Sequence, residues 1–139
     1  MSAAERSIFA RIIAGEIPCH RVFENAQVFA FLDIHPLADG HALVMPKRAV
    51  ARLEDLTAEE AADLGQQLVA LARRIVAATG AAGYNILLNN GTVAGQEVPH
   101  VHFHIIPRRA GDGLGYRWKP QERSPADLAA LAARIAALP

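Results

Sequence analysis

Three of the chain's six histidines stand at alternate positions in His100-Val101-His102-Phe103-His104-Ile105-Ile106-Pro107. Alternation with a period of two is the mark of a β-strand, whose successive side chains point to opposite faces. Such a strand sets the three imidazoles on one side and Val101, Phe103 and Ile105 on the other, toward a core. Successive histidines lie about 6.6 Å apart by strand rise, near enough for two of them to touch one small ligand. The chain must therefore build a sheet with one greasy face and one face fit for chemistry.

The remaining elements follow from local patterns. A short amphipathic segment, about residues 4 to 14, carries Ile8, Phe9, Ile12 and Ile13 and stops at Gly15. Arg21–Glu24 and Gln27–Asp33 are β-rich runs separated by Asn25-Ala26, which predicts a hairpin. His41–Met45 is a third strand, ended by Pro46. Thr57 followed by Glu60 is a capping box, and Ala61, Leu64, Leu68, Leu71 and Ile75 then recur at steps of three and four. That pattern predicts one long helix, closed by Gly80. Tyr84–Asn90 gives a fourth strand and the histidine stretch a fifth. After a Gly- and Pro-containing loop, Ser124-Pro125 opens a last helix, to about residue 138, with Leu128, Leu131, Ile135 and Leu138 on one side. Strands, then a helix, then strands predict an α+β domain with a mainly antiparallel five-stranded sheet. At 139 residues the chain reads as a single domain over 1–139.

Two chemistries suit the histidine face. His-x-His on a strand is a metal-ligand spacing, with His41, Glu97 or Asp33 as the further ligand. Upstream of it, Asn89–Pro99 holds Gly91 and Gly95 in a polar loop, and glycines let backbone N–H groups approach an anion. That second feature points to phosphate. Fourteen basic side chains balance fourteen acidic ones, which argues against a nucleic-acid backbone as partner. The opening residues lack an apolar core and no run is long enough to span a bilayer, so no membrane association and a cytoplasmic location are expected. The lone Cys19 excludes an internal disulfide and a multi-cysteine zinc cage.

Taken together, Ile8–Pro18, Phe31–Lys47 and Asn89–Arg108, the last of which holds the His100–Ile106 motif, resemble, in this order along the chain, the ordered segments of the histidine-triad (HIT) hydrolases. The resemblance covers residues 7 to about 119 and implies the fold and activity of that family. Its members bind purine nucleotides and cut at the α-phosphate through a covalent nucleotidyl-histidine. The middle histidine is the nucleophile, here His102, with a backbone carbonyl of the same strand taking the proton of its other ring nitrogen. His104 then contacts the α-phosphate, while His100 and His41 form a supporting polar network. Asn89 and the backbone of Gly95, Gln96, Glu97 and Val98 line the phosphate, and Asp33 accepts from the ribose hydroxyls. The base sits among Ile8, Phe9, Ile12, Phe31 and Ile34, residues that read equally well as ordinary core.

The family mechanism implies no metal and no cofactor. Where some members carry Cys-x-x-Cys for a structural zinc, this chain has Ser7 and Ala10. Where other branches carry Ser or Thr beside the leaving group, it has Glu97. The nearest branch acts on nucleoside phosphoramidates and other AMP conjugates. A dinucleoside polyphosphate hydrolase and a nucleotide-binding regulator with incidental hydrolysis are the alternatives. The family also implies a homodimer whose long helix and sheet edge pair across subunits, and the apolar stripe on residues 61 to 75 agrees with that. Arg108, Arg109, Arg117 and Lys119 read as a solvated basic edge, and His20 and His35 as surface residues.

Overall fold

The computed structural model describes residues 1–115 and 118–139. Ser7 starts the first helix, α1 (Ile8–Ile13), by accepting a hydrogen bond from the Ala10 N–H. The helix is shorter than the pattern predicts at its front, because residues 3–6 form turns and Ser7 alone supplies the cap. Strands β1 (Arg21–Glu24) and β2 (Val28–Leu32) form the expected hairpin, and Asn25 Oδ1 accepts from the N–H groups of Gln27 and Val28 to fix its turn. Strand β3 (Ala42–Pro46) pairs with β2 in antiparallel register.

The long helix α2 (Ala58–Thr79) opens with the reciprocal Thr57–Glu60 capping box and closes on Gly80 in the left-handed conformation. Strands β4 (Gly83–Leu88) and β5 (Phe103–Arg108) complete an antiparallel sheet in the order β1-β2-β3-β5-β4. The fold is the α+β arrangement expected from the sequence. Helix α3 (Pro125–Ala136) is capped by Ser124 with Pro125 in its first turn.

Alternation along the strands divides the sheet into two cores. Val28, Ala30, Ala42, Val44 and Ile105 face α2 and pack against Leu64, Leu71 and Ile75. Phe29, Phe31, Leu43 and Met45 face the other way, against Phe9 and Ile12 of α1. Helix α2 thus spends its apolar stripe on its own sheet. Ala61 is exposed, Leu68 is half-buried and Ala72 joins the buried set, so the stripe is no argument for a dimer. No residue of α3 is buried, and Leu128, Leu131, Ile135 and Leu138 all face solvent in the single chain.

Candidate active site

The fifth strand begins only at Phe103, so His100 and His102 lie in the extended approach to it rather than in the ladder. The reason is local. His100 N–H turns back to Val98 O, and Val101 N–H bonds Val50 O instead of a neighbouring strand. Alternation nevertheless persists through this stretch: Val101 and Ile105 are fully buried on one side, while His102 and His104 open on a cleft.

That cleft has a volume of about 520 Å³, in the range of a site for a drug-sized ligand. Its lining includes Ile8, Phe9, Ile12, Phe31, Asp33, Ile34, His41, Asn89, Gly95, Glu97, Val98, His102 and His104. Phe9, Ile12 and Phe31 serve both the core and the cleft, whereas Ile8 and Ile34 stand exposed at its mouth.

Hydrogen-bond geometry fixes the tautomer of each imidazole. His102 Nδ1 lies 2.7 Å from His100 O, so it carries the proton and donates, leaving a lone pair on Nε2. The Phe9 ring meets His102 edge to face at 4.9 Å between centroids, and the two contacts together hold the imidazole plane. A second relay starts at the backbone. Leu37 N–H donates to His41 Nδ1 at 3.1 Å, so the His41 proton sits on Nε2. It then donates to His104 Nδ1 at 2.9 Å, which leaves the His104 proton on Nε2. The two rings are matched donor and neutral acceptor.

Burial keeps these rings uncharged. It pushes the pKa of His41, His100 and His102 below the usual 6.5, and burial with the neighbouring His102 and His41 brings His104 to about 4. At neutral pH the pair His102 and His104 therefore offers one nitrogen lone pair and one N–H donor, with ring centroids 5.0 Å apart.

Asp33 stands half-buried beside this relay. Its N–H donates to His41 O, its Oδ1 accepts from His35 N–H at 2.8 Å, and its Oδ2 lies 3.8 Å from His41 Nε2. Asp33, His41 and His104 each bring one donor atom within 4.8 Å of the others, the grouping among the described residues with metal-ligand spacing. A cation there must take the Nε2 position of His41 from its proton. The ring would then carry its proton on Nδ1, and Leu37 N–H would lose its acceptor. The local backbone thus favours the protonated Nε2.

Gly40 places His41. Its φ is +87°, and a Cβ there would come within 2.7 Å of Thr79 Cγ2, so only glycine lets the chain cross α2 this closely before β3. On the other rim, the loop after β4 turns through Gly91 and a 3₁₀ turn, Thr92–Ala94, to Gly95 at φ +93°. Asn89 Nδ2 donates to Gly95 O at 3.4 Å.

Two expected site residues are not in the cleft. The Gln96 side chain is buried in the scaffold, accepting from Gly91 N–H at 2.8 Å and donating to Ala51 O at 2.7 Å, so it holds the loop rather than a ligand. His100 is fully buried, its Nε2–H directed to Pro46 O and its Nδ1 without a hydrogen-bond partner in the structure. His100 and His41 do not share a network: His41 belongs to His104, and His100 carries the carbonyl that orients His102.

Other lining residues were not singled out from sequence. Leu43 and Leu87 flank His104 across the sheet in register, and Ile106 follows it on the same face. Ile17, Pro18 and Cys19 close the apolar end, and His35 with Leu37 lies at the mouth. The strand alternation carried a signal for Leu43, Leu87 and Ile106, but only once the register was known. Nor is the basic edge uniformly solvated. Arg108 bonds Asp112 through two nitrogens and also reaches Asn85 Oδ1 and Leu114 O. Arg109 meets the last carbonyls of α2, Lys119 is exposed, and Arg117 lies outside the described residues.

Known proteins resemble this chain in sequence and in fold. The model of the HIT domain matches residues 14–111. The chain is 43% identical over 129 residues to an adenosine 5'-monophosphoramidase of Schizosaccharomyces pombe, covering 92% of this chain and 94% of that protein. It is 39% identical to an adenylylsulfatase of Arabidopsis thaliana over 77% of this chain and 54% of the relative. Among solved structures, a HIT family protein of Bacillus subtilis superposes with a TM-score of 0.90 at 41% identity, covering 95% of this chain and 96% of the other.

Proposed function

The chain belongs to the HIT family, and from that premise we propose that it is a nucleotide hydrolase that cleaves AMP conjugates, nucleoside phosphoramidates above all, by way of His102. The observation that carries this reading is the pairing of His102 Nδ1 with His100 O, which aims an unprotonated Nε2 at the cleft.

In the first step the Nε2 lone pair attacks the α-phosphorus. A nitrogen–phosphorus bond forms, the bond to the amine breaks, and the amine takes up a proton as it leaves. The His104 Nε2–H, set by the relay from Leu37 through His41, donates to the phosphoryl oxygens as their charge grows. In the second step water attacks the same phosphorus, loses a proton, and returns the electron pair to His102. AMP is released, and the sum is hydrolysis of one phosphorus–nitrogen bond by one water. No metal or cofactor enters this scheme.

The base lies against Phe9, Ile12 and Phe31, with Ile8 and Ile34 at the mouth, and Asp33 accepts from the ribose hydroxyls. Asn89 and the backbone at Gly95, Glu97 and Val98 bracket the phosphate. Gln96 acts from behind by holding the loop, and His100 by presenting its carbonyl. The protein works as a homodimer joined at the β4 edge. Tyr84 and Ile86 of that edge strand and Val69 of α2 are exposed in the single chain, as is the apolar side of α3, and a second subunit covers them. No helix among the described residues is long and apolar enough to cross a membrane, and the cytoplasm is the proposed location.

The test is a single-turnover assay with an adenosine phosphoramidate, on wild type and His102→Ala, each with and without EDTA. Cleavage that resists the chelator and disappears in the variant supports the reading. Cleavage that survives in the variant, or stops with EDTA, returns the histidines to a ligand role.

A further inference from the structure

Among the described residues, neither Lys nor Arg lines the cleft. This is an unusual setting for a phosphate ester, since phosphate sites commonly employ a fixed cation. The fixed charges on the lining are instead two carboxylates, Asp33 and Glu97. They differ in their surroundings. Asp33 is engaged by His35 N–H and stands beside the His41 ring. Glu97 is exposed on the rim between Gly95 and Val98, and among the described residues it makes no hydrogen bond or ion pair.

A cation beside that loop, Arg52, does not line the cleft. The Arg52 guanidinium lies beneath Gly91, where a Cβ would stand 3.1 Å from its Nη2, and it pairs with Glu54 at 3.6 Å. A leaving group that passed Glu97 would meet a carboxylate with no compensating positive charge on the lining among the described residues. A polyphosphate leaving group would place several negative charges in that field. An amine with a second, protonated nitrogen would find its counter-charge there.

We propose that Glu97 is a specificity-determining residue of this cleft: it selects conjugates whose leaving group carries positive charge, the class of adenosine phosphoramidates of diamines, and disfavours anionic leaving groups. This rests on the hydrolase reading above and narrows it. The selection is electrostatic and acts on the leaving group's remote charge, while the attack on phosphorus remains with His102. At a half-open rim such an interaction changes rates by a modest factor, and added salt weakens it.

The experiment uses three adenosine 5'-phosphoramidates of equal tail length: one of a diamine, one of a neutral alkylamine and one of an amino carboxylate. The phosphorus–nitrogen bond is alike in all three, so only the remote charge varies. Comparing kcat/KM at low ionic strength in EDTA, wild type should favour the diamine conjugate over the neutral one by about fivefold, and disfavour the carboxylate by a similar factor. In Glu97→Gln the three rates should converge, and in Glu97→Lys their order should reverse. Equal rates in wild type, or a Glu97→Gln change that slows all three alike, would overturn the assignment while leaving the hydrolase reading intact. Failure to cleave any of the three would overturn both.

Discussion

The two faces of the sheet are built from the same strands yet have opposite characters. One is covered by the 22-residue α2, and its aliphatic side chains pack against that helix. The other is met by the six-residue α1, too short to cover it, and the uncovered remainder is the cleft. The lesson is that cover length, not strand composition, decides which side of this sheet does chemistry. The covered face carries stability, and the open face carries histidines whose protons are assigned by backbone groups.

This contrast predicts a separation of effects. On the open face, His102→Ala should lower single-turnover cleavage of an adenosine phosphoramidate at least about a thousandfold, with the circular dichroism spectrum of the wild type retained. A loss below tenfold would break the division. On the covered face, Leu71→Ala removes a side chain that is 1% exposed and should cost about 3 kcal/mol in urea unfolding. Its kcat/KM per folded molecule should stay within about twofold. If that substitution instead impaired turnover strongly, the faces would be coupled.

Acid sharpens the comparison, because the buried histidines lie chiefly on one side. Each has a folded pKa below 6.5 and so binds fewer protons folded than unfolded. Stability is then complete above about pH 6.5 and declines as the pH falls, with His104 contributing down to about 4. One such histidine adds a slope of up to about 1.4 kcal/mol per pH unit in that window. His104→Gln should flatten the measured slope of unfolding free energy between pH 6 and 5, and an unchanged slope would contradict the burial argument. The smallest effect belongs to the frame: Thr57→Ala should cost about 1 kcal/mol by removing one side of the α2 cap, without altering the pH profile of cleavage.

Much of the frame was legible in the chain itself. Thr57 and Glu60, Gly80, Ser124-Pro125 and the alternation around His102 act within a few residues, where local chemistry decides the outcome. What escaped depends on long-range register and on backbone acceptors. That Leu43 and Leu87 flank His104 follows from the pairing of β3, β5 and β4. The family resemblance put the backbone of Gln96 on the phosphate but gave no role to its side chain, whose amide donates to the Ala51 carbonyl 45 residues away. The pairing of His41 with His104 joins residues 63 apart in the chain, and its direction depends on Leu37 N–H, a backbone donor that no sequence motif marks.

The most direct test of the account is intact-mass spectrometry of the protein, quenched in alkali during turnover of an adenosine phosphoramidate. The account predicts a transient mass increase of one adenylyl group on the wild type, mapped by peptide fragmentation to His102 and absent from His102→Ala. Turnover with no adduct, or an adduct that persists in His102→Ala, would contradict it.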